Sequence, residues 1–101
     1  MASRLKLQSV LEDILGSKNV YFQPPESVKI LYPAIVYFRN DISKLNADDG
    51  TYVMFKSYEI TVIDNHQENP AIDKILMLPK SSLNRHYVAE GLYHDVLSLF
   101  Y

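Results

Sequence analysis

The chain has no cysteine and no tryptophan, three glycines in all, and neither a basic run nor a long apolar one. Without cysteine there can be no disulfide, no thiol nucleophile and no thiolate metal site, which fits a reducing compartment. Three scattered glycines do not make a glycine-rich phosphate loop. Ten lysines and arginines are spread among twelve acids, for a formal net charge of −2. That leaves no basic stripe to track nucleic acid. No stretch combines a basic face with an apolar one, so a membrane-surface role has no support. No apolar run approaches the roughly 20 residues of a membrane span. The first stretch, "MASRLKLQSVLEDILG", is interrupted by Lys6, Gln8, Glu12 and Asp13, unlike the apolar core of a signal peptide. The expectation is a soluble protein that stays inside the cell that makes it.

What is present reads as one domain, residues 1–101, with 48% hydrophobic and 22% charged residues, ordinary values for a globular chain. Eight tyrosines and four phenylalanines suit half-buried strand positions and subunit contacts. Leu7, Val10, Leu11, Ile14 and Leu15 recur at helical spacing, so a helix is expected over 3–15, with Ser3 as N-cap and Gly16 as its stop. Val20–Phe22 reads as a short strand ended by Pro24-Pro25. A strand over Ala34–Arg39 puts Ile35, Tyr37 and Arg39 on one face and Ala34, Val36 and Phe38 on the other. Both faces are largely apolar, which places it inside a sheet.

Residues 40–52, "NDISKLNADDGTY", read as a long loop, rich in turn formers and carrying an Asp-Gly reversal. A strand follows over 54–64, with Tyr58, Ile60, Val62 and Asp64 alternating against Glu59, Thr61 and Ile63. "ENPAIDKILMLP" predicts a second helix, capped by Asn69, opened by Pro70, ended by Pro79 and striped by Ile72, Ile75, Leu76 and Leu78. The chain closes with a hairpin around "VAEGL". The order predicts an α+β fold, a mostly antiparallel sheet with two helices on one face.

The closing segment, "LNRHYVAEGLYHDVLSLFY", holds His86 and His94, Arg85 and Asp95. A five-residue loop would set Leu83 opposite Leu97, Arg85 opposite Asp95, His86 opposite His94 and Tyr87 opposite Tyr93. Tyr–Tyr, Arg–Asp and Leu–Leu pairs explain most of that cluster as strand matching. A zinc ion shared by His86 and His94 lacks a third ligand: His66 is the remaining histidine, and Asp95 faces away from His94. Ser81, Ser82 and Ser98 offer hydroxyls, but none in the strained turn of a nucleophile elbow. Asp48 and Asp49 do not have the spacing of a calcium loop, and "QPPES" is a bend more simply than a polyproline ligand. No catalytic residue, cofactor site or metal site is expected.

The strings "GSKNVYFQPP", "YPAIVYFRNDI" and "RHYVAEGLYHDV" resemble a group of small proteins from the structural-gene region of tailed bacteriophages. These are the tail-completion or tail-terminator proteins, also labelled head–tail joining or minor structural proteins. The similarity runs over roughly residues 4–101. It implies an α+β subunit that assembles as a hexameric ring on the head-proximal end of the tail tube. Such a ring stops tail polymerisation and offers the neck of the head its attachment surface. The implied partners are further copies of the chain, the tail tube protein and a neck or head-completion protein. DNA would pass through the lumen without specific binding, no membrane would be involved, and no cofactor would be needed. The implied location is the virion, and the host cytoplasm during assembly.

A head-to-tail ring needs two different complementary patches per subunit. Tyrosine and arginine are enriched where binding energy concentrates. The expected contact residues are Arg39, Asp41, Asp48, Asp49 and Tyr52 around the loop, and Arg85, Tyr87, Tyr93 and Asp95 in the hairpin. The nearest alternative is a neck adaptor or head-completion ring. An alternative of a different class is a small metal-dependent enzyme built on His86, His94 and a third ligand.

Overall fold

Apolar residues at helical spacing build α1 (Arg4–Leu15), which turns Leu7 and Leu11 wholly inward. Gly16 ends it at φ 75°, and the Gly16 and Ser17 amides both donate to the Glu12 carbonyl. A left-handed residue at this position favours glycine because no Cβ resists it. The computed structural model describes residues 4–46 and 52–101, so the expected Ser3 cap lies outside the described residues. Five strands follow: β1 (Val20–Phe22), β2 (Ala34–Asn46), β3 (Tyr52–Asp64), β4 (Ser81–Ala89) and β5 (Leu92–Phe100). Helix α2 (Pro70–Leu76) lies between β3 and β4. Asn69 Oδ1 accepts from the Ala71 amide and Pro70 occupies the first helical turn, as the sequence predicts.

The sheet order is β1-β2-β3-β5-β4, antiparallel except for the parallel β1–β2 pair. This is the expected α+β architecture. Period-two alternation sends Ile35 and Tyr37 of β2, Tyr58, Ile60 and Val62 of β3, and Leu97 and Leu99 of β5 toward the helices. There they meet Leu7, Leu11, Ala71 and Ile75 in one continuous core. Leu76, expected in the α2 stripe, is instead exposed, and Ala71 takes the buried place. Among the described residues, the opposite sheet face carries no helix. Ala34, Val36, Ile63 and Val96 are still buried there, while Phe38, Tyr87 and Phe100 remain about two-fifths exposed.

Two register shifts interrupt the sheet. The first falls between Arg39 and Asp41, where Asn40 bulges out of β2. Beyond it the expected 40–52 loop is mostly strand: Asp41–Asn46 pair with Tyr52–Ser57. Cross-strand pairing has overridden the turn propensity of Asn40, Asp41 and Asn46, which speaks for local preference alone. β1 has already ended at Phe22, and β5 reaches β3 only as far as Ser57. Residues 41–46 and 52–56 therefore continue past the five-stranded sheet as a two-stranded arm. The second shift lies between Leu83 and Arg85, where Asn84 bulges from β4 and its Nδ2 donates to Ser98 Oγ at 2.6 Å.

Candidate functional site

The closing hairpin turns on two residues, not five. Ala89 pairs with Leu92 across Glu90 (φ 53°) and Gly91 (φ 77°). Two consecutive positive φ values match the right-handed twist of a tight hairpin. This turn offsets the pairing by one residue from the expected one. His86 faces Asp95, Tyr87 faces His94, Val88 faces Tyr93 and Arg85 faces Val96. The Asn84 bulge absorbs the offset, so Leu83 faces Leu97 as expected. Three anticipated pairs are thus corrected: Arg85 with Asp95, His86 with His94, and Tyr87 with Tyr93.

A one-residue slip moves every side chain to the other face. His86 and Asp95 lie on the helix-bearing face, while His94 and Tyr87 lie on the open one. The two histidines are back to back across the sheet and cannot share a metal ion, which removes the zinc-pair reading. Among the described residues no group of three or more His, Asp or Glu is placed to hold a metal. His94 stacks on Tyr87 with ring centroids 4.6 Å apart and planes 9° from parallel, and its Nδ1 donates to the Leu92 carbonyl. Arg85 lies 5.8 Å from the Tyr87 ring and 3.7 Å from the Glu59 carboxylate, at an exposed position.

On the helix side, His86 Nδ1 lies 2.7 Å from Asp95 Oδ1. Asp95 is buried, and a buried carboxylate needs such a partner to offset its lost hydration. The pair lines a cleft of about 590 Å³ with Gln67, Glu68, Asn69, Pro70, Ile72 and Asp73. The cleft wall is braced by Asp64, also buried, which accepts from Asn69 Nδ2 at 2.8 Å and from the His66 amide at 3.2 Å. The sequence did not single out this cleft; its one early signal was Asn69-Pro70, read as a helix start. A His–Asp pair can orient a general base. Beside this pair, the lining residues supply carboxylates at Glu68 and Asp73 and amides at Gln67 and Asn69.

The expected contact residues fall into two groups. Arg39 stands exposed at the root of the arm, and its amide donates to Gln23 Oε1. Asp41 and Tyr52 occupy the arm's two strands, and Asp48 and Asp49 lie outside the described residues. Arg85 and Tyr87 sit exposed on the open face of the edge strand, while Tyr93 is half-buried and Asp95 is committed to His86. Among the described residues, the β4 edge and the partly apolar open face are exposed. Comparison of the chain with protein-family models, curated proteins and solved structures returned no match.

Proposed function

We propose that this chain is a structural subunit of a tailed-bacteriophage virion that forms a homo-oligomeric ring at the head-proximal end of the tail tube. In that place it ends tail polymerisation and joins the tail to the neck. The role is binding, without chemistry or cofactor, and the hexamer implied by the sequence resemblance is the expected assembly. Its partners are its own copies, the tail tube protein and a neck or head-completion protein, with DNA passing through the lumen.

One observation carries this reading beyond the sequence resemblance. Among the described strands, two unlike backbone edges lack a neighbour: β2 beyond Arg39, and β4 on the side away from β5. Two unlike surfaces on one subunit are what a closed head-to-tail ring requires.

The test is removal of the protein from an assembling phage, followed by electron microscopy of the products. Overlong tails support termination. Tails of normal length that fail to join heads move the chain to a neck adaptor ring. Normal infectious particles refute both. Native mass measurement of the purified chain should show a discrete closed oligomer.

A further inference from the structure

We infer that neighbouring copies join by strand addition, the β2 side of one copy's arm pairing with the β4 edge of the next. This rests on the ring reading for the partner being a second copy. It adds which backbone edges meet.

The β4 edge is unusually open. Seven of its nine residues, Ser82–Val88, are exposed, and among the described strands β4 has β5 alone beside it. β4 carries neither proline nor lysine against unwanted pairing, and its guards are the Asn84 bulge and Arg85. Its outward groups follow from the turn. In a two-residue hairpin the closing pair Ala89–Leu92 is hydrogen-bonded, and bonded pairs then alternate. Tyr87 and Arg85 therefore direct their backbone groups to β5, while Val88 and His86 direct theirs away from the molecule.

The arm has the matching deficiency. The β1–β2 ladder stops where the Gln23 amide donates to the Tyr37 carbonyl and Gln23 Oε1 accepts from Arg39. No described strand flanks Asp41–Asn46 on that side. A two-stranded ribbon alone is marginal in water and gains from a third strand.

Charge favours arm-to-edge pairing over edge-to-edge pairing. β4 carries Arg85 near its middle and no acid, so two β4 edges paired there antiparallel would set one guanidinium against the other. The arm strand offers Asp41. With Asp41 opposite Arg85 in an antiparallel pair, Ser43 falls opposite Leu83 and Lys44 opposite Ser82, so Lys44 meets no cation. Because the two edges are different surfaces, each copy keeps one of each exposed until the ring closes.

Two substitutions test this. Val88→Pro deletes an amide that β5 does not use, at an edge position where proline is tolerated. It should leave the circular dichroism spectrum intact and raise the dissociation constant for self-association by about tenfold or more, the loss expected when a buried acceptor loses its donor. The cysteine-free background permits a second probe, Ser43→Cys with Leu83→Cys, joined by a short bis-maleimide. Within one copy β3 and β5 intervene, and the two positions are also offset along the strands, about 25 Å apart in all. Only contact between copies can link them. A ladder of linked oligomers is expected, and it decides the matter even if Val88→Pro fails to fold. Rings that form normally with Val88→Pro, or that never link through the cysteines, overturn the edge pairing while the ring reading stands. A wild-type chain that stays monomeric at its solubility limit overturns the edge pairing, and a monomer on assembled tails too would overturn the ring.

Discussion

Gln8 should matter more to stability than the tyrosine it serves. Tyr37 is wholly buried, and its hydroxyl donates to Gln8 Oε1. The same glutamine donates through Nε2 to the Val20 carbonyl at 3.0 Å and to Glu12 Oε2 at 3.2 Å. One side chain on α1 thus ties the helix to both β1 and β2. Tyr37→Phe keeps the ring, its contacts with Phe22 at 4.9 Å and Tyr58 at 6.0 Å included, and removes a single donor. Gln8 Oε1 is half-buried and can recover water, so the cost should be about 0.5–1.5 kcal/mol. Gln8→Ala instead strands the buried hydroxyl and deprives the Val20 carbonyl. Each stranded group costs about 1–3 kcal/mol, and alanine's helix propensity returns only a few tenths. The net loss should be about 2–4 kcal/mol, or at least about 10 °C in Tm for a domain of this size. Urea unfolding followed by circular dichroism measures both, with an unchanged m-value as the check that only stability moved. The double variant should cost at least about 1 kcal/mol less than the sum, because no hydroxyl is left to strand. Additive losses, or a Tyr37→Phe loss equal to that of Gln8→Ala, would refute the reasoning.

The hairpin turn gives a paired prediction. Glu90→Asn should stabilise by up to about 1 kcal/mol because asparagine tolerates a positive φ, and Gly91→Ala should cost about 1–2 kcal/mol from backbone strain alone, since an added Cβ meets nothing within 4 Å. Thermal melts of the two variants should move in opposite directions. Leu97→Ala, at a fully buried site beneath both helices, should cost about 2–5 kcal/mol in denaturant titration. Loss of the exposed Arg85–Glu59 contact in Glu59→Gln should change stability by no more than about 0.5 kcal/mol. Burial raises the Tyr37 and Tyr58 hydroxyls above the usual tyrosine value, with Arg4 opposing at Tyr37, and Arg39 then Arg4 at Tyr58. Their folded-state protons are held more tightly than those of the unfolded chain. The associated stability is complete below about pH 10 and falls as pH rises beyond it. Tyr58→Phe should flatten that alkaline loss when stability is followed against pH.

The elements legible in the sequence were those with a strong period or a chemical stop. The Leu7/Leu11 stripe, the Asn69-Pro70 start and the Tyr58–Ile60–Val62 alternation all specify burial on one face, and the core uses them. Residues 40–46 and Tyr52 were misread as loop because their polar neighbours describe what the chain prefers locally. Pairing of 41–46 with 52–57 depends on the partner strand. The cleft was invisible for a related reason: it joins β4 and β5 to the α2 start, and no local pattern connects Asp95 with Gln67.

The hairpin shows how little separates one chemical reading from another. With five loop residues, His86 and His94 would share a face and invite a metal-site interpretation. With two, each takes a partner of a different kind: His86 a buried carboxylate, His94 a tyrosine ring. The difference lies in Glu90, a residue with no Cβ-free excuse for a positive φ, adopting one beside Gly91. The strand must then return to the register that Leu83 and Leu97 demand in the apolar part of the sheet. It does so at Asn84, whose side chain finds Ser98. Turn and bulge are therefore a coupled pair, one creating the offset and the other cancelling it. Between them, His86 to Val88 are set with alternate backbone groups pointing outward along the exposed edge. The same two irregularities that dissolve the apparent histidine site thus define the edge used by the strand addition proposed above.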